Sequence, residues 1–183
     1  MKQIEEITLK TLNLAKGGRK DAFETIMNSL SSRIYSRAYR LSNSIEYAKD
    51  NTQQTFMQLY ININSINNPD HLLPWLLRTS LNIYLDNYRR NKKIVYEESL
   101  NLDHIAGEDY QTMNEYLVAD KLDLDRYLNQ LSETERLVVW LHCVEGYLHQ
   151  EVAKKLHISL SNSKQLYRRS LKKLHMMIIK EET

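Results

Sequence analysis

The sequence predicts an all-α fold in which two small helical domains are joined by an acidic flexible linker, and the second domain contains a helix-turn-helix. The chain has 183 residues but only 4 Gly and 2 Pro, which leaves little material for tight β-hairpins. Its apolar residues recur mostly at intervals of three or four, the spacing of one helical face. Alternation of apolar and polar residues, the pattern typical of a strand, does not compete with this signal.

Charge is distributed unevenly along the chain. Residues 1–93 carry a net charge of +6, residues 94–125 carry −8 and residues 126–183 carry +4, for a formal total of +2. Two basic blocks therefore flank an acidic strap. We expect domain limits at 1–93 and 118–183, with the acidic linker at 94–117. Basic blocks favour an anionic partner such as nucleic acid even where the total charge is small.

The amino-terminal domain is predicted to contain three or four helices. One apolar stripe runs through residues 20–41, and further helical patterns cover about 44–62 and about 70–91. The large aromatic residues Phe56 and Trp75 are expected in the core, because aromatic side chains at helical spacing usually pack inward.

Local signals divide the rest of the chain. From Lys93 to about Met113 there is no sustained period and several acids occur, which predicts an extended linker, and helical pattern returns near Asn114. The sequence SETE begins at Ser132 and predicts a capping box in which Ser132 and Glu135 satisfy amides at a helix start. The helix is predicted to end at Gly146 in a left-handed conformation.

A helix-turn-helix is predicted from VAKKLHISLSNSKQLYRRSLKKLHMM, residues 152–177. Two helices flank a corner at 157–159, and Ala153 supplies the small side chain needed where they approach each other. Ser159 can cap the second helix. The residues of this helix expected to face the core are Leu166, Leu171 and Leu174.

Two sets of polar residues lie on the second helix of this motif. Those at its amino end could reach base edges, and they are Ser161, Asn162, Lys164 and Gln165. Basic residues suited to phosphate contacts are Lys164, Arg168, Arg169, Lys172 and Lys173. A solvated basic surface helix is the alternative interpretation.

Cys143 is the only cysteine, so an intrachain disulfide is impossible. It lies in the apolar run LVVWLHCVEG and is expected to be a buried, inert thiol.

Neither a signal segment nor a long apolar run occurs at the amino end, which predicts a cytoplasmic protein without membrane insertion. Catalytic triads, phosphate-binding glycine loops and paired-histidine metal spacings are also missing, so we expect neither an enzyme nor a cofactor or metal site.

Three stretches resemble one known family. Residues 48–56, AKDNTQQTF, are similar to the pattern AEDLVQETF, and residues 74–90, PWLLRTSLNIYLDNYRR, are similar to AWLxRIAxNxxxDxxRR. Residues 131–174 resemble LxxxxRxVxxLxxxEGxxxxEIAxxLxISxxxxKxxxxRxxxKL. In this order they resemble regions 2 and 4 of RNA polymerase sigma factors of the extracytoplasmic-function (ECF) type. The resemblance covers about residues 20–177 and implies a non-enzymatic subunit that directs polymerase to promoters.

The resemblance also implies partners and site residues. Core RNA polymerase, through its β′ and β subunits, promoter DNA and an anti-sigma factor are the expected partners. The residues expected to bind the β′ coiled coil are Asp50, Gln53 and Gln54, although a solvated polar face is the alternative. The minus-ten element would be read by the loop 62–68 and by the helix residues Arg78, Asn82, Asp86, Arg89 and Arg90. Asp86 could instead orient its neighbours.

Region 4 would read the minus-thirty-five element through the second helix of the helix-turn-helix. The acidic strap would lie in a polymerase channel built to hold RNA, where its carboxylates imitate phosphates, or would act only as a tether.

The chain departs from the family patterns at several positions. Asn51, Thr52 and Gln54 replace the usual Leu, Val and Glu, and Leu148 occupies the place of a capping Ser or Thr. His157 and Ser163 replace the usual Gly and branched apolar residue of the helix-turn-helix.

Two other protein classes remain open at this stage. A stand-alone helix-turn-helix regulator explains residues 131–177 but leaves the two amino-terminal matches as accidents. An interaction protein that has lost DNA binding is compatible with the departures in the helix-turn-helix.

Overall fold

The computed structural model describes residues 7–98 and 122–181, which form eight α-helices and contain no β-strand. The predicted all-α class is confirmed. The chain divides into two compact units, residues 1–84 and 85–183, with the boundary inside the fourth helix. Among the described helices, none is both long and apolar enough to cross a membrane.

The first unit is built from four helices. They are α1 (Leu9–Lys16), α2 (Lys20–Ser42), α3 (Ile45–Asn62) and the first part of α4 (Leu72–Glu98), with 3-10 turns at Ile63–Ser65 and Pro69–His71 between α3 and α4. The three helices predicted at 20–41, 44–62 and 70–91 are therefore confirmed. The short helix α1 was not predicted individually.

Short polar residues determine where these helices begin and end. The Thr8 hydroxyl accepts a hydrogen bond from the Thr11 amide at 3.2 Å and starts α1. Asn43 has a left-handed conformation, with φ of 55°, and ends α2. Asn is among the few residues other than Gly that adopt this conformation readily. The Ser44 hydroxyl then accepts from the Tyr47 amide at 3.2 Å and starts α3.

The core of the first unit lies between these helices. It is lined by Leu12 and Ala15 of α1, Ile26, Leu30 and Ile34 of α2, Phe56 and Leu59 of α3, and Leu72 and Leu76 of α4. Phe56 is buried as predicted, and Trp75 packs against the core with part of its surface exposed. Tyr60 is 68% exposed and contacts Phe23 edge to face, so it lies outside the core.

Helix α4 continues through Glu98, past the end predicted for it near residue 91, so the first residues after Lys93 are helical. The sequence has no Gly or Pro from Trp75 to Ala106, so nothing in the backbone ends the helix at Lys93. The rest of the predicted linker and the helical pattern near Asn114 fall in residues 99–121, outside the described residues.

The described carboxy-terminal residues form α5 (Leu122–Asn129), α6 (Glu133–Val139), a π-helical turn at Trp140–Val144, α7 (His149–Leu156) and α8 (Leu160–Glu181). The capping box of Ser132 and Glu135 is present at the start of α6. Gly146 has a φ of 74°, which confirms the predicted left-handed end. Helices α7 and α8 flank residues 157–159, so the helix-turn-helix is confirmed.

The corner of the helix-turn-helix is made by His157 and Ser159. His157 adopts a left-handed conformation with φ of 53°, where a Gly would carry no steric cost. The Ser159 hydroxyl accepts from the Asn162 amide at 3.1 Å and caps α8 as predicted. Ala153 is buried, as predicted for a small residue where the two helices approach each other.

Two burial predictions were wrong. Cys143 is exposed, because the π-helical turn inserts an extra residue and redirects the side chains that follow Leu141. Leu171 is 40% exposed, whereas Leu166 and Leu174 are half-buried. The fully covered positions of α8 are instead Ser163 and Ser170.

Candidate functional site

One exposed face of α3 carries the residues predicted to bind polymerase. Asp50, Gln53 and Gln54 are all exposed and lie within one turn of each other. Met57 and Ile61 continue the same stripe at helical spacing, and they are 57% and 67% exposed. The face therefore combines hydrogen-bonding groups with uncovered apolar surface. Met57 and Ile61 were not predicted to belong to this face, although their helical spacing from Asp50 places them on it.

A buried polar pair lies behind this face. The Asn51 amide donates to the Ser80 carbonyl at 3.1 Å, and the Ser80 hydroxyl donates to the Asn51 side-chain oxygen at 2.5 Å. Asn51 stands where the family pattern has Leu, and Ser80 stands where it has Ala. These two residues, which both differ from the family pattern, are therefore hydrogen-bonded to each other where α3 packs on α4.

A stripe of exposed residues runs along α4. Arg78, Asn82, Asp86 and Arg90 recur every four residues and are all exposed. The Arg89 guanidinium lies 2.8 Å from the Asp86 carboxylate and forms an ion pair with it. Asp86 therefore orients Arg89 in this structure, which is the second of the two roles considered for it. The assignment of these residues to the minus-ten element stays a prediction.

The loop 62–68 precedes α4 and is anchored at both ends. Ile63 and Ile66 are buried in the core of the first unit. The Lys16 ammonium donates to the Asn67 side chain at 3.3 Å. The Asn68 side chain accepts from the Asp70 amide at 3.0 Å and starts the turn that leads into α4. The remaining positions of the loop are exposed and available to a ligand.

The amino end of α8 presents the four residues predicted to reach base edges. Ser161, Asn162, Lys164 and Gln165 are all exposed. Ser163 lies among them but points inward and is fully buried. The helix therefore places its polar set on the surface and uses Ser163 to hold its position.

The basic residues of α8 do not all have the same surroundings. Arg168, Arg169 and Lys172 are exposed, as a phosphate contact requires. The Arg169 guanidinium also lies 3.6 Å from the Glu135 carboxylate of α6. The Lys173 ammonium donates to both oxygens of Glu135, at 2.8 and 2.9 Å. Lys173 therefore links α8 to α6 in this structure, and its predicted phosphate contact stays a prediction.

Glu135 connects two features of the second unit. Its carboxylate accepts from the Ser132 amide in the capping box at 3.1 Å and also receives the Lys173 ammonium. Burial acts to raise the pKa of Glu135, but the hydrogen bonds from Lys173 and Ser132 outweigh burial, and the pKa is lowered. Glu135 is thus held ionised between α6 and α8.

Three rings meet where α7 and α8 contact the π-helical turn. The imidazoles of His142 and His149 are stacked, with centroids 4.1 Å apart and planes 21° apart. Tyr167 of α8 meets both rings edge-on, at 4.8 Å from His142 and 5.2 Å from His149. We call His142, His149 and Tyr167 the ring cluster. It is the main contact that sequence reasoning missed, because it joins three separate elements.

Hydrogen bonds hold the ring cluster in place. His142 Nδ1 lies 2.8 Å from the Tyr147 carbonyl, so this nitrogen carries the proton and donates. His149 Nδ1 lies 3.1 Å from the buried Ser163 hydroxyl of α8. The Cys143 thiol donates to the Tyr167 phenol oxygen at 3.5 Å. Ser163, one of the departures from the family pattern, therefore has a specific partner.

The surroundings of His149 disfavour its charged form. Burial, followed by the electrostatic effect of His142, Lys164 and Arg168, lowers the pKa of the His149 imidazole. The hydrogen bond with the Cys143 thiol, followed by burial, raises the pKa of the Tyr167 phenol. Both groups are therefore neutral at pH 7.

Within residues 7–98 and 122–181, no group of three or more His, Cys, Asp or Glu side chains has an arrangement that could hold a metal ion.

Two family profiles match the chain, and together they cover the candidate residues of α3, α4 and α8. The profile of Sigma-70 region 2 matches residues 26–94, which contain the exposed faces of α3 and α4. The profile of Sigma-70 region 4 matches residues 121–174, which contain the helix-turn-helix.

Individual relatives agree with these matches. The chain is 26% identical over 174 residues to the ECF RNA polymerase sigma factor SigW of Bacillus subtilis, covering 88% of this chain and 91% of the relative. It is 27% identical over 146 residues to the ECF RNA polymerase sigma factor SigM of the same organism, covering 77% and 85%.

Among solved structures, the chain is similar in fold to the sigma factor RpoE of Bartonella quintana, crystallised with the anti-sigma factor NepR. The TM-score is 0.54 at 19% identity, covering 85% of this chain and 96% of that chain.

Proposed function

The chain belongs to the sigma-70 family of RNA polymerase sigma factors, in the ECF group, and we propose that three exposed faces, on α3, α4 and α8, each bind a different partner. A sigma factor is not an enzyme; it binds core RNA polymerase and directs it to promoters for transcription initiation. The domain limits proposed for this division are residues 1–93, 94–117 and 118–183.

The α3 face is proposed to dock on core polymerase. Asp50, Gln53 and Gln54 offer a carboxylate and two amides to a partner, and Met57 and Ile61 add apolar area that stays uncovered in the isolated chain. Interfaces typically combine these two kinds of surface. The coiled coil of the β′ subunit is the proposed partner of this face, with β a further contact of the holoenzyme.

The α4 face is proposed to contact the minus-ten element. Arg78 and Asn82 suit phosphates and base edges respectively, and both are exposed one turn apart. The ion pair of Asp86 with Arg89 supports a role for Asp86 in holding the Arg89 guanidinium in a fixed direction. Arg90 adds a further positive charge to attract the backbone.

The α8 face is proposed to read the minus-thirty-five element. The single observation that carries this assignment is the separation of the polar residues of α8 into two groups. Asn162, Lys164 and Gln165 are exposed at the amino end, while Ser163 and Lys173 face the protein and fix the helix. A recognition helix needs this combination of a free polar edge and a rigid support.

Further partners follow from the likeness to relatives. The RpoE structure from Bartonella quintana contains the anti-sigma factor NepR, and we propose that an anti-sigma factor also binds this chain. We propose a cytoplasmic location, where core polymerase is found. The acidic strap, which carries a net −8 over residues 94–125, is proposed to lie along a positively charged channel of polymerase.

A stand-alone DNA-binding regulator is not favoured. The region 2 profile covers residues 26–94, which such a regulator would leave without a function. The test is to mix the purified chain with core polymerase. Co-elution and transcripts that depend on the promoter are expected, whereas DNA binding without co-elution would favour the regulator.

A further inference from the structure

The ring cluster lies directly behind the amino half of α8. Ser163 and Tyr167 are one helical turn apart, and each contacts His149. Ser163 is flanked by Asn162 and Lys164, two of the residues proposed to reach bases. His149 therefore contacts α8 at Ser163 and Tyr167, on the side of the helix opposite the residues proposed to reach DNA bases.

We infer that His149 is a positioning residue for the recognition helix. While uncharged, stacked on His142 and bonded to Ser163, it holds α8 in the position seen here, which we call the seated form. Gain of a proton by the ring cluster releases α8 from this position, giving the unseated form, and weakens minus-thirty-five recognition. This inference rests on the proposed function of α8.

The physical reason is the set of charges around the cluster. The groups that act electrostatically on His149 are His142 from the π-helical turn and Lys164 and Arg168 from α8, and all of them are positive when charged. On its own helix, Glu151 is occupied by a hydrogen bond from the Leu148 amide at 2.8 Å. Tyr167 is neutral at pH 7 and supplies no counter-charge.

The position of His149 in α7 adds to this effect. It is the first residue of α7, where the helix dipole is positive and disfavours a cation. Leu148 precedes it and has no side-chain acceptor with which to cap the helix. A proton on His149 would therefore meet repulsion from the helix start, from His142 and from the basic face of α8.

The direction of the pH effect follows from linkage. The pKa of His149 is lowered from 6.5 when α8 is seated, so the unseated form binds protons more readily. The seated form is fully favoured above about pH 6.5 and loses that advantage as pH falls below this value.

Bound DNA opposes this effect in part. Phosphates placed against Lys164 and Arg168 would reduce the positive field at His149 and make its proton less costly. If that contribution were the larger one, acid would strengthen binding. We expect the repulsion within the ring cluster to be larger than the effect of the phosphates, so that acid weakens binding. The direction of the pH dependence distinguishes the two cases.

The experiment uses holoenzyme assembled from core polymerase and the full chain. Binding is measured between about pH 7.5 and 5.5 on two DNA fragments that differ only in an intact or scrambled minus-thirty-five element. The ratio of the two affinities isolates α8 and cancels the pH dependence of polymerase itself. We expect this ratio to fall several-fold over the range, because the seated form loses its advantage as pH falls below about 6.5.

Two variants identify the residue responsible. His149→Gln keeps a hydrogen-bonding side chain but cannot gain a proton, and it is expected to lower the ratio a few-fold at pH 7.5 while making it independent of pH. His175→Gln removes an exposed histidine of α8 and is expected to keep the pH dependence of the unchanged chain. A flat ratio in the unchanged chain, a ratio that rises in acid, or an acid loss retained by His149→Gln would overturn the inference.

A second measurement keeps the inference separate from the proposed function. A ratio of one at every pH would count against DNA reading by α8. In the free full-length chain, NMR signals of the Tyr167 ring should then still shift as His149 titrates, since unseating removes the edge-on contacts. A Tyr167 signal that stays constant through that titration would sink the positioning role whatever α8 binds.

Discussion

Asn51 and Ser80 lie 29 residues apart in sequence and form two reciprocal hydrogen bonds in the core of the first unit. Asn51 is 1% exposed and Ser80 is fully buried. The family pattern has Leu and Ala at these positions, so one apolar pair has been replaced by one polar pair. Because each partner satisfies the other, the replacement avoids the cost of a lone buried polar group.

The first prediction follows from this mutual dependence. Ser80→Ala should lower the free energy of unfolding by about 1 to 3 kcal/mol, because it leaves the buried Asn51 side-chain oxygen without its donor. The double change to Asn51→Leu with Ser80→Ala should recover much of that loss. Urea unfolding of Ser80→Ala, Asn51→Leu and the double variant measures the coupling, with the exposed Ser32→Ala as control. Additive effects of the two substitutions would contradict the pairing.

The second prediction concerns acid stability and Glu135. Its pKa is lowered from 4.5 in the folded chain, so the ionised form contributes stability that is complete above about pH 4.5 and is lost as pH falls through the lower, folded pKa. Glu135→Gln should cost about 1.5 to 3 kcal/mol at pH 7, the usual cost of losing hydrogen bonds to a charged group. It should also flatten the acid part of the stability profile.

Urea unfolding between about pH 6 and pH 3 measures this effect. Glu133→Gln changes an exposed carboxylate in the first turn of the same helix and serves as the control. An unchanged acid profile in Glu135→Gln would mean that other carboxylates govern it.

The third prediction concerns the α3 face. Replacing Asp50 and Gln53 by Lys should weaken binding to core polymerase by about 1 to 3 kcal/mol, because interface hydrogen bonds are lost and the wrong charge is introduced. Helicity should not change, since both side chains are exposed. Affinity is measured by titrating core polymerase, with Glu24→Lys, which reverses an exposed charge on α2, as the control. Equal affinity in a folded variant would remove the face from the interface.

The fourth prediction tests the exposure of the single thiol. Cys143 should react with a small aromatic disulfide reagent in the native chain, without denaturant, at one equivalent per molecule. Reaction only after unfolding would show that the thiol is buried, as the apolar sequence around it first indicated.

Sequence predicted the parts of this structure that depend on local chemistry. The capping residues Ser132 and Ser159 were identified because a cap involves residues three positions apart. The exposure of Cys143 was not predictable from an α-helical period, because a π-helical turn changes that period. The pairs Asn51–Ser80, His149–Ser163 and Glu135–Lys173 each join separate helices, and a single sequence gives no information on which distant polar residues meet.

The last prediction separates affinity from sequence choice on α8. Lys172→Ala should weaken binding to all promoters about equally and lower the salt slope by about 1, because a phosphate contact carries no sequence information. Arg169→Ala should do the same but also lower stability slightly, since its guanidinium lies 3.6 Å from Glu135. Asn162→Ala or Gln165→Ala should instead change the preferred minus-thirty-five sequence, at about 1 to 3 kcal/mol for a good base contact.

These effects are measured in assembled holoenzyme, because region 4 alone can bind too weakly to reveal a preference. Transcription from a library of minus-thirty-five variants gives the sequence preference, and repeating it at several salt concentrations gives the slope. Lys173→Ala is the informative contrast, since Lys173 binds Glu135 and should lower stability without changing the slope by a full phosphate contact. If Asn162, Gln165 and Lys172 can all be replaced without altering preference or slope, then α8 does not face DNA and its basic surface serves polymerase or solvent.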